Sequence, residues 1–180
     1  RLEARAEHRI LDVGCGAGNL LAQLPGVERH GIDLSEFMCK RAVERLGTSA
    51  KVIKGDAEHM PYEDASFDRI VSSSMLSHCL HPEKVIAEIR RVTKPGGRVV
   101  LSISDEDQIE RGMGWARSLG LSGLLFGKDQ RQTYNVEYHL HRFSLARLRE
   151  VVGDQLTEIT RTGVPFVFPV HSIVVYLRTK

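Results

Sequence analysis

Apolar residues along this chain keep two rhythms that take turns. Short runs rich in Ile, Val and Leu read as buried strands: Ile10 to Val13, a run closing at His30-Gly31-Ile32-Asp33, Lys51 to Lys54, Phe67 to Val71 and Arg98 to Ile103. Between them the spacing turns helical. Asn19 to Leu24 predicts a short helix stopped by Pro25-Gly26. Ser35 is a good N-cap for a helix that carries Phe37, Met38, Ala42, Val43 and Leu46, with Gly47 where a C-terminal cap belongs. Pro82 opens another, whose Val85, Ile86, Ile89 and Val92 share one face before Lys94-Pro95-Gly96-Gly97 breaks it. Strand and helix alternating over short loops predict a parallel sheet wrapped by helices.

The second half leaves this rhythm. Asp105 to Tyr138 holds scattered apolar residues, five glycines and no strong strand pattern. Ile109, Met113, Trp115, Ala116, Leu119, Leu124, Leu125 and Phe126 suit either a lid insertion over residues 105–140 or an ordinary amphipathic helix pair. Order returns at Ser144, which caps a helix bearing Leu145, Leu148, Val151 and Val152. Leu156 to Thr162 and Ser172 to Arg178 then read as an antiparallel strand pair.

Composition narrows the class. The 180 residues are 42% hydrophobic, enough for one domain over residues 1–180 with a core that needs no disulfide or metal. Lys+Arg 25 against Asp+Glu 23 gives a net charge of +2, so no strong field points to nucleic acid or an anionic membrane. Cys15, Cys39 and Cys79 are odd in number and lack zinc-ligand spacing, which implies a reducing, cytoplasmic setting. No apolar run approaches the roughly 20 residues of a membrane span. Little chain precedes Ile10, and the expectation is that any upstream helix has been trimmed or never existed.

The chemistry gathers at Asp12-Val13-Gly14-Cys15-Gly16-Ala17-Gly18. A strand that ends in alternate glycines turns abruptly and brings backbone N–H groups close to a ligand, as nucleotide cofactors require. Asp33, ending the second strand, suits a bidentate acceptor for two ribose hydroxyls. The GxGxG spacing differs from the GxGxxG of dinucleotide sites, and this weakens a nicotinamide-dependent oxidoreductase without removing it.

Together with Gly31 to Ser35, Gly55-Asp56-Ala57-Glu58-His59-Met60-Pro61, Ser66 to Val71 and Arg91 to Gly97, the glycine turn resembles the class I S-adenosylmethionine-dependent methyltransferases. The small-molecule branch that includes the ubiquinone and menaquinone biosynthesis enzymes is the nearest likeness, over roughly residues 9–104. The resemblance implies an α/β fold: a doubly wound, Rossmann-like sheet of seven strands, mostly parallel, the last antiparallel, with helices on both faces. It also implies roles. Gly14, Cys15 and Gly16 would lie under the methionyl and ribose parts of S-adenosylmethionine, with Asp12 organising the loop and contacting the amino group. Asp33 would accept the ribose hydroxyls, Leu34 and Met38 would pack on adenine, and Asp56 and the Ala57 N–H would meet the adenine edge. The Ser72 and Ser73 carbonyls would approach the methionyl amino group.

Methyl transfer to O, N or C of a small metabolite, releasing S-adenosylhomocysteine, needs mainly a nucleophile held in line, so a catalytic base is dispensable; no metal is expected. His78 is the candidate general base, and His81, Tyr134, Tyr138, His139 and His141 are weaker candidates for the acceptor side. Ser72-Ser73-Ser74-Met75 stands where nucleic-acid amino methyltransferases carry Asn/Asp-Pro-Pro-Tyr/Phe. The expected partner is therefore a small molecule, with neither nucleic acid nor membrane. A catalytically silent cofactor-binding module is the reading from another class.

Overall fold

Leu11, Val13, Ile32, Ile70, Val99 and Leu101 are sealed from solvent at the centre of a single sheet, the reason their strands run apolar on both faces. The computed structural model describes residues 2–24, 28–120, 140, 142–165 and 169–179. Its strands are β1 (Arg9–Val13), β2 (Glu28–Asp33), β3 (Lys51–Lys54), β4 (Phe67–Ser73), β5 (Thr93–Ser104), β6 (Thr157–Pro165) and β7 (Pro169–Leu177). They lie side by side in the order β3-β2-β1-β4-β5-β7-β6. The first five are parallel to one another, while β7 enters antiparallel to both β5 and β6. The doubly wound, seven-stranded architecture expected from the sequence is the one present.

The described helices are α1 (Glu36–Leu46), α2 (Pro82–Val92), α3 (Glu106–Ser118) and α4 (Leu145–Val152). One face of the sheet packs on the apolar stripes of α2 and α4, through Val85, Ile86 and Ile89 and through Leu148, Val151 and Val152. On the other face Cys15, Leu21, Ala42 and Leu46 make a smaller cluster around α1. Ser35 and Ser144 cap α1 and α4 as expected, each hydroxyl accepting a backbone N–H at 3.3 Å.

Three local expectations change. The helix expected over Asn19 to Leu24 is a single 3-10 turn, Leu21–Gln23. Arg29 explains it, because its guanidinium takes the carbonyls of Leu21 at 2.8 Å and Leu24 at 3.2 Å and ends the helical ladder there. In α1, Phe37 and Val43 point outward at 63% and 49% exposure, and Cys39 joins Ala42 and Leu46 inside. Helix α2 ends at Val92, ahead of Lys94-Pro95-Gly96-Gly97 as expected, but β5 already begins at Thr93 rather than at Arg98. The register jumps from Phe67 opposite Thr93 to Arg69 opposite Arg98, and the irregular stretch is held by Gly96 N–H to the Arg178 carbonyl and Arg178 N–H to that of Gly97. Within the expected lid, Glu106–Ser118 is helical, and residues 121–139 lie outside those described. No helix among the described residues is long and apolar enough to cross a membrane.

Strand order reverses between β1 and β4, since β2 and β3 go to one side of β1 and β4 to the other. Such a reversal leaves a crevice beyond the carboxyl ends of the strands, and the loops after β1, β2, β3 and β4 all empty into it.

Candidate cofactor site

Gly14 follows β1 with φ +76° and Gly16 has φ +51°, backbone angles that L side chains rarely adopt. At Gly14 a Cβ would also come within 2.5 Å of Met75, whereas the space beside Gly16 is open. The turn is fixed from below. The Gly14 and Cys15 N–H groups donate to the Ile32 carbonyl at 2.8 and 3.1 Å, and Gly16 N–H donates to the Asp33 carboxylate at 2.8 Å. The other Asp33 oxygen accepts Ser35 N–H at 2.9 Å. Asp33 is thus held by a backbone donor at each oxygen, at the junction of the glycine turn and the start of α1.

These groups line a cavity of about 540 Å³. Gly14 and Gly16 come from the β1 loop, Asp33, Leu34 and Met38 from β2 and α1, and Asp56 and Ala57 from the β3 loop; Ser73 and His78 come from the end of β4 and the turn after it. Asp56 is exposed, one oxygen accepting Glu58 N–H at 2.8 Å and the other 3.8 Å from the His59 ring. His78 ends the 3-10 turn Leu76–His78 and is exposed at the rim.

Three residues expected at the cofactor, Asp12, Cys15 and Ser72, do not line the cavity. Asp12 is 2% exposed on β1, and no described group donates a hydrogen bond to its carboxyl. Burial, seconded by the negative charge of Asp33, pushes its pKa up to about 7. Cys15 keeps its backbone in the turn but sends its thiol into the cluster with Leu21, Ala42 and Leu46. Burial and the nearby Asp12 and Asp33 charges push that thiol up to about 12. Ser72 is buried, and its hydroxyl has no hydrogen-bond partner among the described residues. Tyr134, Tyr138, His139 and His141 lie outside the described residues.

The cavity also takes in Gly55, Glu58, Ser74, Met75, Cys79 and Leu80, which no motif singled out as ligands. Ser74 holds φ +53°, and its N–H donates to the Ser102 carbonyl at 2.9 Å, so the chain swings out of β4 under strain. The signal available was positional: a polar triplet after a buried strand marks where the chain leaves the sheet.

Residues 11–101 match the methyltransferase domain family, half of the chain and all of the crevice-forming loops. The chain belongs to that family. Among relatives, the malonyl-[acyl-carrier protein] O-methyltransferase of Erwinia pyrifoliae is 36% identical over 120 residues, 65% of this chain and 45% of that protein. The demethylmenaquinone methyltransferase of Clavibacter sepedonicus is 37% identical over 100 residues, 53% of this chain and 41% of that protein. The chain therefore spans less than half the length of either relative. A solved S-adenosylmethionine-dependent methyltransferase from Methanosarcina mazei shares the fold, with a TM-score of 0.74 at 18% identity over 98% of this chain and 94% of that one.

S-adenosylmethionine is the cofactor of this methyltransferase domain, and the residues present fit it. The buried Asp12 carboxyl, without a hydrogen bond from any described group, matches a ligand that brings an ammonium and a sulfonium. The open side of Gly16 leaves room where a Cβ would stand, and Asp33 and Asp56 offer acceptors to hydroxyl and amino donors.

Proposed function

We propose that this chain holds S-adenosylmethionine in the 540 Å³ cavity and transfers its methyl group to O, N or C of a small, partly apolar metabolite. One observation carries the reading: a glycine turn, the Asp33 and Asp56 carboxylates and an apolar ledge from four successive strand ends converge on one crevice, with the Asp12 carboxyl buried on β1 just before the turn. Asp33 would hold the ribose, Leu34 and Met38 the adenine face, Asp56 and Ala57 the adenine edge, and Asp12 the ammonium. The acceptor would enter past Met75, His78, Cys79 and Leu80, which are softer and more apolar than the opposite wall.

Bound there, the cofactor supplies a methyl already made electrophilic by its sulfonium. The protein's share is positioning and exclusion of water, and where the acceptor loses a proton, His78 receives it. The near-neutral charge supports a small-molecule acceptor over nucleic acid or a membrane surface. Cys15, Cys39 and Cys79, none in a disulfide, support a cytoplasmic setting.

Calorimetric titration with S-adenosylhomocysteine and with NADH tests the first step. Binding of the former alone is expected, and the reverse result overturns the proposal. A metabolite panel incubated with S-adenosylmethionine and read by mass for the gain of one methyl tests the second. Cofactor binding with no product from any extract would make this a silent binding module.

A further inference from the structure

Glu58 lines the cofactor cavity, yet its side chain is only 12% exposed and its carboxylate is spent on another element. One carboxylate oxygen accepts the His81 N–H at 2.9 Å, while the Glu58 N–H itself donates to an Asp56 oxygen at 2.8 Å. His81 is the N-cap residue of α2 and its own side chain caps nothing, so Glu58 joins the start of that helix to the β3 loop from outside. The far end of the same loop is fastened to α2 as well, Met60 N–H donating to Glu88 at 2.7 Å. Loop and helix form one body.

What this link connects gives it a use. The other Asp56 oxygen stands 3.8 Å from the exposed His59 ring, on the cavity wall where an adenine amino group would arrive. At the opposite end, His81 follows His78 by three residues, and His78 closes its 3-10 turn by donating N–H to the Met75 carbonyl at 2.9 Å. Cys79 lies between the two histidines and feels both carboxylates: burial, then the Glu58 and Asp56 charges, push its thiol up to about 12. A continuous path therefore runs from the Asp56 carboxylate through the Glu58 backbone and side chain to the His81 backbone. Its hydrogen bonds are charge-assisted, the kind least tolerant of a shift in either partner.

We propose that Glu58 is a positioning residue, which makes the turn bearing His78 answer to occupancy of the adenine edge. The inference rests on the cofactor reading above. A ligand amino group that takes the second Asp56 oxygen draws on a carboxylate already bonded to the Glu58 N–H, and Glu58 hands the displacement to the His81 N–H. The acceptor side of the cavity then settles into place once the cofactor is bound.

Adenosine is the probe, because it carries adenine and ribose but no methionyl part that could reach the turn directly. In backbone amide NMR of the whole chain, adenosine should shift Gly16 and Ala57 and, with the same saturation, His78 and His81. Glu58→Gln keeps the reach of the side chain without its charge, and Glu58→Asp keeps the charge but falls one methylene short. Transmission to His78 and His81 is expected to persist in the first and to be lost in the second, while Gly16 and Ala57 respond in both and report an intact site. A role confined to steadying α2 would move the resting positions of these amides and leave their response to adenosine alone. Saturable shifts at Gly16 and Ala57 with none at His78 and His81 in the wild type overturn this inference alone, as does transmission that survives in Glu58→Asp or fails in Glu58→Gln. No saturable shift at Gly16 or Ala57 with either adenosine or S-adenosylhomocysteine overturns the cofactor reading and this inference with it.

Discussion

Asp12 and Asp33 are both carboxylates at strand ends, yet their surroundings set them apart. Asp33 accepts two backbone N–H groups, whereas Asp12 has no described donor and a pKa near 7. Below the unfolded value of 3.8 Asp12 is protonated in both states; as pH rises toward 7 the unfolded chain ionises first, and stability is lost by up to about 4 kcal/mol. Asp12→Asn removes that loss. Its thermal midpoint without cofactor should rise above wild type by a margin that grows between pH 4 and 7 and then levels off, while it binds S-adenosylhomocysteine more weakly. Wild-type affinity for that ligand should in turn climb with pH through about 7, as measured by calorimetry in a buffer series. Asp33→Ala should weaken cofactor binding by about 1.5 to 3 kcal/mol, the scale of charged hydrogen bonds, with the fold retained by circular dichroism. Unchanged affinity would refute the ribose role. His78→Ala should lower kcat about a hundredfold once an acceptor is in hand; a rate within twofold of wild type removes the general base. At this scale the sequence showed residue types and order. It could not show that Cys15 turns away from the loop, because only the packing of Leu21, Ala42 and Leu46 decides which side of the turn the thiol takes.

Elements were legible where local physics acts alone. The caps Ser35 and Ser144 and the apolar face of α2 needed no tertiary partner to be recognised. Misreadings occurred where a distant group intervenes: Arg29 on the turn at Leu21, and the end of β7 on the irregular start of β5. The loop between β3 and β4 depends on another such group. Arg91 of α2 donates to the Met60 and Tyr62 carbonyls at 2.9 and 2.7 Å and pairs with Glu88 and Asp64. Those bonds hold the Glu88 carboxyl below, and the Arg91 guanidinium above, their ordinary ranges. Since this loop follows Asp56 and Ala57, Arg91→Met should loosen the adenine side at a distance. Protease cleavage between residues 56 and 66 should speed up, and S-adenosylhomocysteine affinity should fall without loss of the sheet.

For the whole molecule, the crevice follows from topology more than from any one side chain. Strand order turns back between β1 and β4, and the loops on either side of that reversal carry the residues that the motifs marked. The alternation of strand and helix made this legible, while another cavity, of about 480 Å³, was not, because its wall joins Asp105, Ser144 and Ser172 from elements far apart in sequence. β7 has one more consequence. It is the last of the described strands, yet it lies between β5 and β6 and bonds β5 from Arg98 to Ser104. While the chain emerges from the ribosome, the cofactor half is complete long before β5 gains its neighbour. Until then β5 is an open edge, able to pair with any extended segment. The nascent protein is thus most exposed to aggregation when its binding site is already built, and a shielding chaperone or a captured ligand would be most useful in that interval.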